Sequence, residues 1–113
     1  MTPIWTGGAV SGGGTGTGAL SDWVVKSAAY TAANGDRILT NTTLGGFIIT
    51  LPLAPSVGDQ VNIKDFAGTC GANNVTVARN GQNIRGSAEN LLLDYAYAEV
   101  ELVFTGASEG WIF

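Results

Sequence analysis

From Asp22 to Phe113 the sequence never sustains a helical repeat through three turns. Short β-prone runs that alternate in period two are instead cut, every few residues, by glycine, proline, asparagine and aspartate. In Phe47-Ile-Ile-Thr-Leu51, residues 47, 49 and 51 share one face, and Pro52 and Pro55 stop the run because proline cannot donate to a ladder. Val61, Ile63 and Asp65 point one way and Gln60, Asn62 and Lys64 the other. Val100, Leu102 and Phe104 face inward, with Glu99 and Glu101 on the solvent side. The regions Trp23 to Ala33, Arg37 to Thr40 and Trp111 to Phe113 also read as strands, and Leu91-Leu-Leu93 as either a helical turn or a short strand. Such spacing predicts an all-β fold, a compact antiparallel sandwich or barrel-like module, and argues against alternating strands and helices. The sharpest local expectation is a hairpin. Val75 to Arg79 and Gln82 to Arg85 flank Asn80-Gly81, whose two positive-φ positions suit a type I′ turn.

The first 21 residues are different. Gly7, Gly8, Gly12, Gly13, Gly14, Gly16 and Gly18 alternate with small residues, which lose much backbone entropy on ordering and have little to bury. The expected organisation is therefore a flexible Gly-rich arm, 1–21, and a single β module, 22–113. Ile4 and Trp5 lie at the far end of the arm, beyond the glycines. They are candidate partner-docking residues, against the plainer reading of a loosely packed terminus.

Composition narrows the functions. A net charge of −4, with Lys26, Arg37, Lys64, Arg79 and Arg85 scattered singly, argues against nucleic acid, which calls for clustered cations. No apolar run is long enough to span a membrane, and residues 1–5 lack the pattern of a secretory signal. The chain has no histidine, so it has neither the commonest general base nor the commonest metal ligand. Its one cysteine, Cys70, has no evident base or cation to activate it and reads as a small apolar residue. Gly14-Thr-Gly16-Thr-Gly-Ala19 matches a relaxed dinucleotide pattern, but lacks the strand and helix that give the pattern meaning. Asp36 and Asp59 suit turns, and a solvated or turn-forming role accounts equally for Asp65, Asp94, Glu99 and Glu101. Trp23 and Trp111 read as core or interface residues. No catalytic, cofactor or metal residue is therefore assigned, and no cofactor is expected.

Several segments together resemble a module of tailed-phage virion proteins. They are Tyr30-Thr-Ala-Ala-Asn-Gly-Asp36, Gly46 through Asp65, and Asn73-Asn-Val-Thr-Val-Ala-Arg-Asn-Gly81 with Ile84-Arg-Gly86. Ala88-Glu-Asn-Leu-Leu-Leu-Asp94 and the closing Gly-Trp-Ile fit too, so the likeness covers residues 28–113. The resemblance implies a non-enzymatic structural protein at the virion surface, assembled in the host cytoplasm, with the module in trimeric appendages. Two functional readings follow. In the first, a homotrimeric capsid decoration (cement) protein docks on the major capsid protein through its arm. The start at Met1, the sense of a complete chain and the want of a shaft favour it. In the second, the module belongs to a tail fibre or baseplate appendage and contacts a host receptor or glycan, with Gln60, Asn62 and Gln82 as candidate surface residues. A small hydrolase acting on a cell-surface polymer is the third, resting on carboxylates that would meet between subunits.

Overall fold

In the computed structural model, which describes residues 20–113, the chain forms nine strands in two sheets. These are β1 (Trp23–Lys26), β2 (Tyr30–Thr31), β3 (Arg37–Thr40), β4 (Phe47–Thr50), β5 (Gln60–Asp65), β6 (Val75–Ala78), β7 (Leu91–Leu93), β8 (Glu99–Phe104) and β9 (Trp111–Ile112). The first sheet runs β1-β3-β5-β8-β9 and the second β2-β4-β6-β7. Up to β6 the chain visits the two sheets in turn. A strand of one sheet thus reaches its parallel neighbour by crossing through the other sheet, where a βαβ unit would use a helix. The result is a flattened coil of three turns, followed by β7, β8 and β9, which pair antiparallel.

The all-β expectation holds, but the antiparallel one is corrected: β1–β3, β3–β5, β2–β4 and β4–β6 are all parallel. Alternation in the sequence reports which face of a strand is buried and says nothing about strand direction. Direction is fixed by the route of the connection. The hairpin is corrected as well. Asn80 and Gly81 do take positive φ (51° and 90°), and the Gln82 N–H donates to the Arg79 carbonyl at 3.3 Å, so the turn forms as read. The returning residues do not pair with β6, because that strand already lies between β4 and β7, in the registers Ile49↔Val77 and Val77↔Leu91. Ile84 instead bridges to Ser87 and Trp111.

The inward faces of both sheets make one core. Ile38, Val61, Ile63, Val100 and Leu102 of the first sheet meet Ile49, Val75, Val77 and Leu93 of the second, all buried. Trp111 closes the core near the C-terminus, edge-on to Phe104 with ring centroids 5.3 Å apart. The Trp111 N–H donates to the Asn83 carbonyl at 2.8 Å, a close approach that the preceding Gly110 permits. Gly110 sits at φ 73°, and a Cβ there would collide with the Asn83 carbonyl oxygen. Ser21 is tied to this body: its N–H bonds the Gly35 carbonyl, and its carbonyl accepts from Arg37 Nε at 2.7 Å.

Candidate functional site

β5 and β8 run antiparallel from Gln60↔Val103 to Lys64↔Glu99, and at the end of this ladder the Asp65 N–H bonds the Ala98 carbonyl. The period-two pattern turns the Asp65 side chain into the protein, and it is only 2% exposed. A lone buried carboxylate is costly unless its lone pairs are used. Here Oδ1 accepts from the Gly68 and Thr69 N–H groups at 3.1 and 3.3 Å, and Oδ2 from Cys70 and Tyr97 at 3.0 and 2.9 Å. Burial pushes its pKa upward, but the N–H donors of Cys70, Tyr97, Thr69 and Gly68 outweigh this and hold it below the usual carboxylate value. One side chain thereby fixes two loops, after β5 and before β8. The solvated reading of Asp65 is corrected, since the side chain is buried; it does shape the turn that follows β5, and it also holds Tyr97.

The loops that Asp65 fixes carry exposed aromatic residues. Tyr97 has φ 61°, a left-handed conformation that bulky residues rarely adopt, and its side chain is 68% exposed. Its N–H is held by Asp65, and its ring lies on Gly68, where a Cβ would come within 2.6 Å of the ring carbon Cζ. Tyr95 and Phe66 are also exposed, Phe66 leaving β5 just past the last ladder pair. The loop after β5 is pinned from beneath as well. Thr69 Oγ1 lies 2.8 Å from Thr42 Oγ1, and Asn73 Nδ2 donates to the Thr42 carbonyl at 2.8 Å.

The outer face of the first sheet carries an open groove of about 240 Å³, lined by Trp23, Asn62, Lys64, Glu99 and Glu101 among others. Sheet register builds it: Trp23, Arg37, Asn62 and Glu101 form one cross-strand row, and Leu39, Lys64 and Glu99 the next. The Arg37 guanidinium and the Lys64 ammonium each lie 5.3 Å from the Trp23 ring centroid, so the indole holds both cations at its face. Asn62 Oδ1 is shielded from solvent and accepts no hydrogen bond. The groove thus combines an apolar wall with charges of both signs, a set suited to non-covalent contact.

Cys70 and the turn aspartates are engaged within the fold. Among the described residues no three cysteine, aspartate or glutamate side chains converge as a metal-binding group. Cys70 is buried, and burial raises its thiol pKa, which disfavours the nucleophilic thiolate. The Thr40 hydroxyl lies 3.9 Å from its sulfur. Asp36 and Asp59 serve their own turns: Asp36 accepts from the Ala33 N–H and the Tyr30 hydroxyl, Asp59 from the Ser56 N–H.

Of the residues proposed from sequence for host contact, Gln60 and Asn62 share the outer face of β5, and Asn62 lines the groove. Gln82 belongs to the Asn80-Gly81 turn and does not line it. Trp23 forms a groove wall, while Trp111 is core. Ile4 and Trp5 lie outside the described residues. Sequence reasoning passed over Phe66, Tyr95 and Tyr97. For Tyr95 and Tyr97 the signal was their alternation with Ala96 and Ala98, which puts them on the outward parity of Glu99 and Glu101.

No known family profile matches the chain. A stretch of 91 aligned residues is 31% identical to the long-tail fiber proximal subunit of Enterobacteria phage T4, taking in 75% of this chain and 7% of that protein. The chain therefore spans only a small fraction of the length of the relative it matches.

Proposed function

We propose that the protein is a structural module of a phage tail fibre, which associates with other tail proteins and acts by non-covalent contact, without catalysis. The observation that carries this reading is the sequence similarity to a long-tail fiber subunit over three quarters of the chain. It favours the appendage over the capsid decoration expected first. That expectation rested on the apparent completeness of the chain, a weaker ground than a direct sequence relation.

In this reading the module assembles as a homotrimer at the virion surface. The platform of Phe66, Tyr95 and Tyr97 and the groove beside Trp23 are its contact surfaces, rigid because Asp65 and the β5–β8 ladder hold them. Tyrosine and tryptophan suit that task, since they offer large contact area at small entropic cost. The test is gold-labelled antibody against this protein on intact virions, viewed by electron microscopy. Label on the tail fibres is expected, and label spread over the head would return the protein to the decoration class. Light scattering on the purified protein is expected to give the mass of three chains, and a monomer mass would remove the trimer from the proposal.

A further inference from the structure

The sequence holds two Asn-Gly pairs, Asn34-Gly35 and Asn80-Gly81. At such a pair the glycine nitrogen can attack the preceding side-chain amide, because no Cβ keeps the backbone from folding back. Both glycines sit at φ 90°, yet the fold restrains the two pairs very differently. Gly35 is buried; its N–H donates to the Gln60 carbonyl and its carbonyl accepts from the Ser21 N–H, both at 2.8 Å. Asn34 Oδ1 accepts from the Gln60 N–H at 2.9 Å. The reacting nitrogen and the reacting amide of this pair are thus both tied to the first residue of β5, a core strand. Gly81 is exposed, with open space where a Cβ would stand. Among the described residues its N–H donates to no group. The turn is closed by the Gln82 N–H on the Arg79 carbonyl, at a long 3.3 Å, and by Arg79 Nη1 on the Gln82 carbonyl at 2.9 Å. One bond holds the Asn80 amide itself, from Nδ2 to the Leu51 carbonyl at 2.9 Å.

We propose that Asn80 is a site of spontaneous deamidation, a modification that the fold admits there and blocks at Asn34. The proposal is independent of the tail-fibre reading. The Gly81 nitrogen gives its proton to water or hydroxide and attacks Asn80 Cγ. A C–N bond forms, the bond from Cγ to Nδ2 breaks, and ammonia leaves with the proton returned to it. Water then opens the five-membered imide at either carbonyl and leaves aspartate or isoaspartate. The local opening that this needs costs little at an exposed turn, whereas at Asn34 it would detach the start of β5. The product also weakens the end of β4. Leu51 is fully buried, its N–H bonds the Ala78 carbonyl at 2.9 Å, and its carbonyl relies on Asn80 Nδ2. A carboxylate in place of the amide sets acceptor against acceptor.

The experiment is peptide mapping by mass spectrometry on the full chain aged at mildly alkaline pH, folded in buffer or unfolded in guanidinium chloride. In the folded protein, position 80 is expected to convert at least about tenfold faster than position 34, with both aspartate and isoaspartate as products. In the unfolded chain the two rates should draw together, since the pairs are then chemically alike. Equal rates in the folded protein overturn the inference. So does an Asn80 that stays intact over the time in which the unfolded chain converts. A difference that survives unfolding overturns it as well, because its cause would lie in the neighbouring sequence and not in the fold. The variant Asn80→Asp tests the consequence. Its urea midpoint is expected to fall below that of the unaltered chain, and an unchanged midpoint overturns the link to Leu51.

Discussion

Replacing Asp65 by asparagine tests the hub with almost no change of shape. Each carboxylate oxygen accepts two backbone N–H groups, Oδ1 those of Gly68 and Thr69 and Oδ2 those of Cys70 and Tyr97. An amide keeps one oxygen and turns its NH2 toward the other pair, so two N–H donors face a donor. The longer pair, Gly68 and Thr69, is the one sacrificed. Each orphaned donor costs about 1–3 kcal/mol, and the two retained bonds lose their charge assistance. Relief from burying a charge offsets part of this, which leaves a net loss of about 3 kcal/mol. The assay is equilibrium unfolding in urea, followed by tryptophan fluorescence. The midpoint should fall with an unchanged slope. The pH dependence has a definite sign. The folded-state pKa of Asp65 is depressed, so its stabilisation is complete above the unfolded value near 3.8 and is lost as the pH falls through the folded one. Wild type and Asp65→Asn should thus differ by a constant amount from neutral pH down to about 4 and converge below it. A loss under about 1 kcal/mol, or a gap that persists on acidification, would refute the hub.

Three further outcomes are expected. Gly110→Ala should destabilise by at least about 3 kcal/mol in the same assay. The added Cβ meets the Asn83 carbonyl oxygen at a positive φ and breaks the bond that seats Trp111. Cys70 should resist alkylation in native buffer and react only under unfolding conditions, as read by mass spectrometry, because the thiol is buried and its pKa raised. Tyr30→Phe removes the 2.6 Å bond from the tyrosine hydroxyl to Asp36 Oδ2 and should cost roughly 0.5–1 kcal/mol. That bond, first among the causes, raises the Tyr30 pKa. The difference should therefore be full below pH 10.0 and vanish as the pH rises through the folded-state value, which unfolding at alkaline pH would check.

The faces of individual strands were legible in the sequence because each needs only local information. Val61, Ile63 and Asp65 point inward, Glu99 and Glu101 outward, as their spacing requires. The coil was not legible, and the registers show why. Trp23 pairs with Arg37, and Arg37 with Asn62, so successive turns of the coil consume very different lengths of chain and leave no fixed period. Asn80-Gly81 failed as a hairpin signal for a related reason. The turn is a local event and it formed, but whether two strands pair across it depends on what else claims their edges, here β4 and β7. The site divides in the same way. Glycine-preceded Asp36 and Asp59 were readable as turn residues, while Asp65 serves donors on either side of a long connection, among them Tyr97, which no local pattern joins to it.

That long-range bond also couples stability to surface. A tyrosine at φ 61° carries strain of order 1–3 kcal/mol, and such strain persists only where the surroundings over-determine the conformation. The Asp65 bond to the Tyr97 N–H, the Ala98 pairing with Asp65 and the bare face of Gly68 under the ring supply that determination from three directions. Remove the carboxylate's grip and the cheapest relief is for residue 97 to leave the left-handed region, carrying its ring off Gly68 and breaking up the platform. An aromatic surface built this way is lost in the same step as the hub. In Asp65→Asn, NMR contacts between the Tyr97 ring and Gly68 should accordingly weaken while those between Phe104 and Trp111 persist.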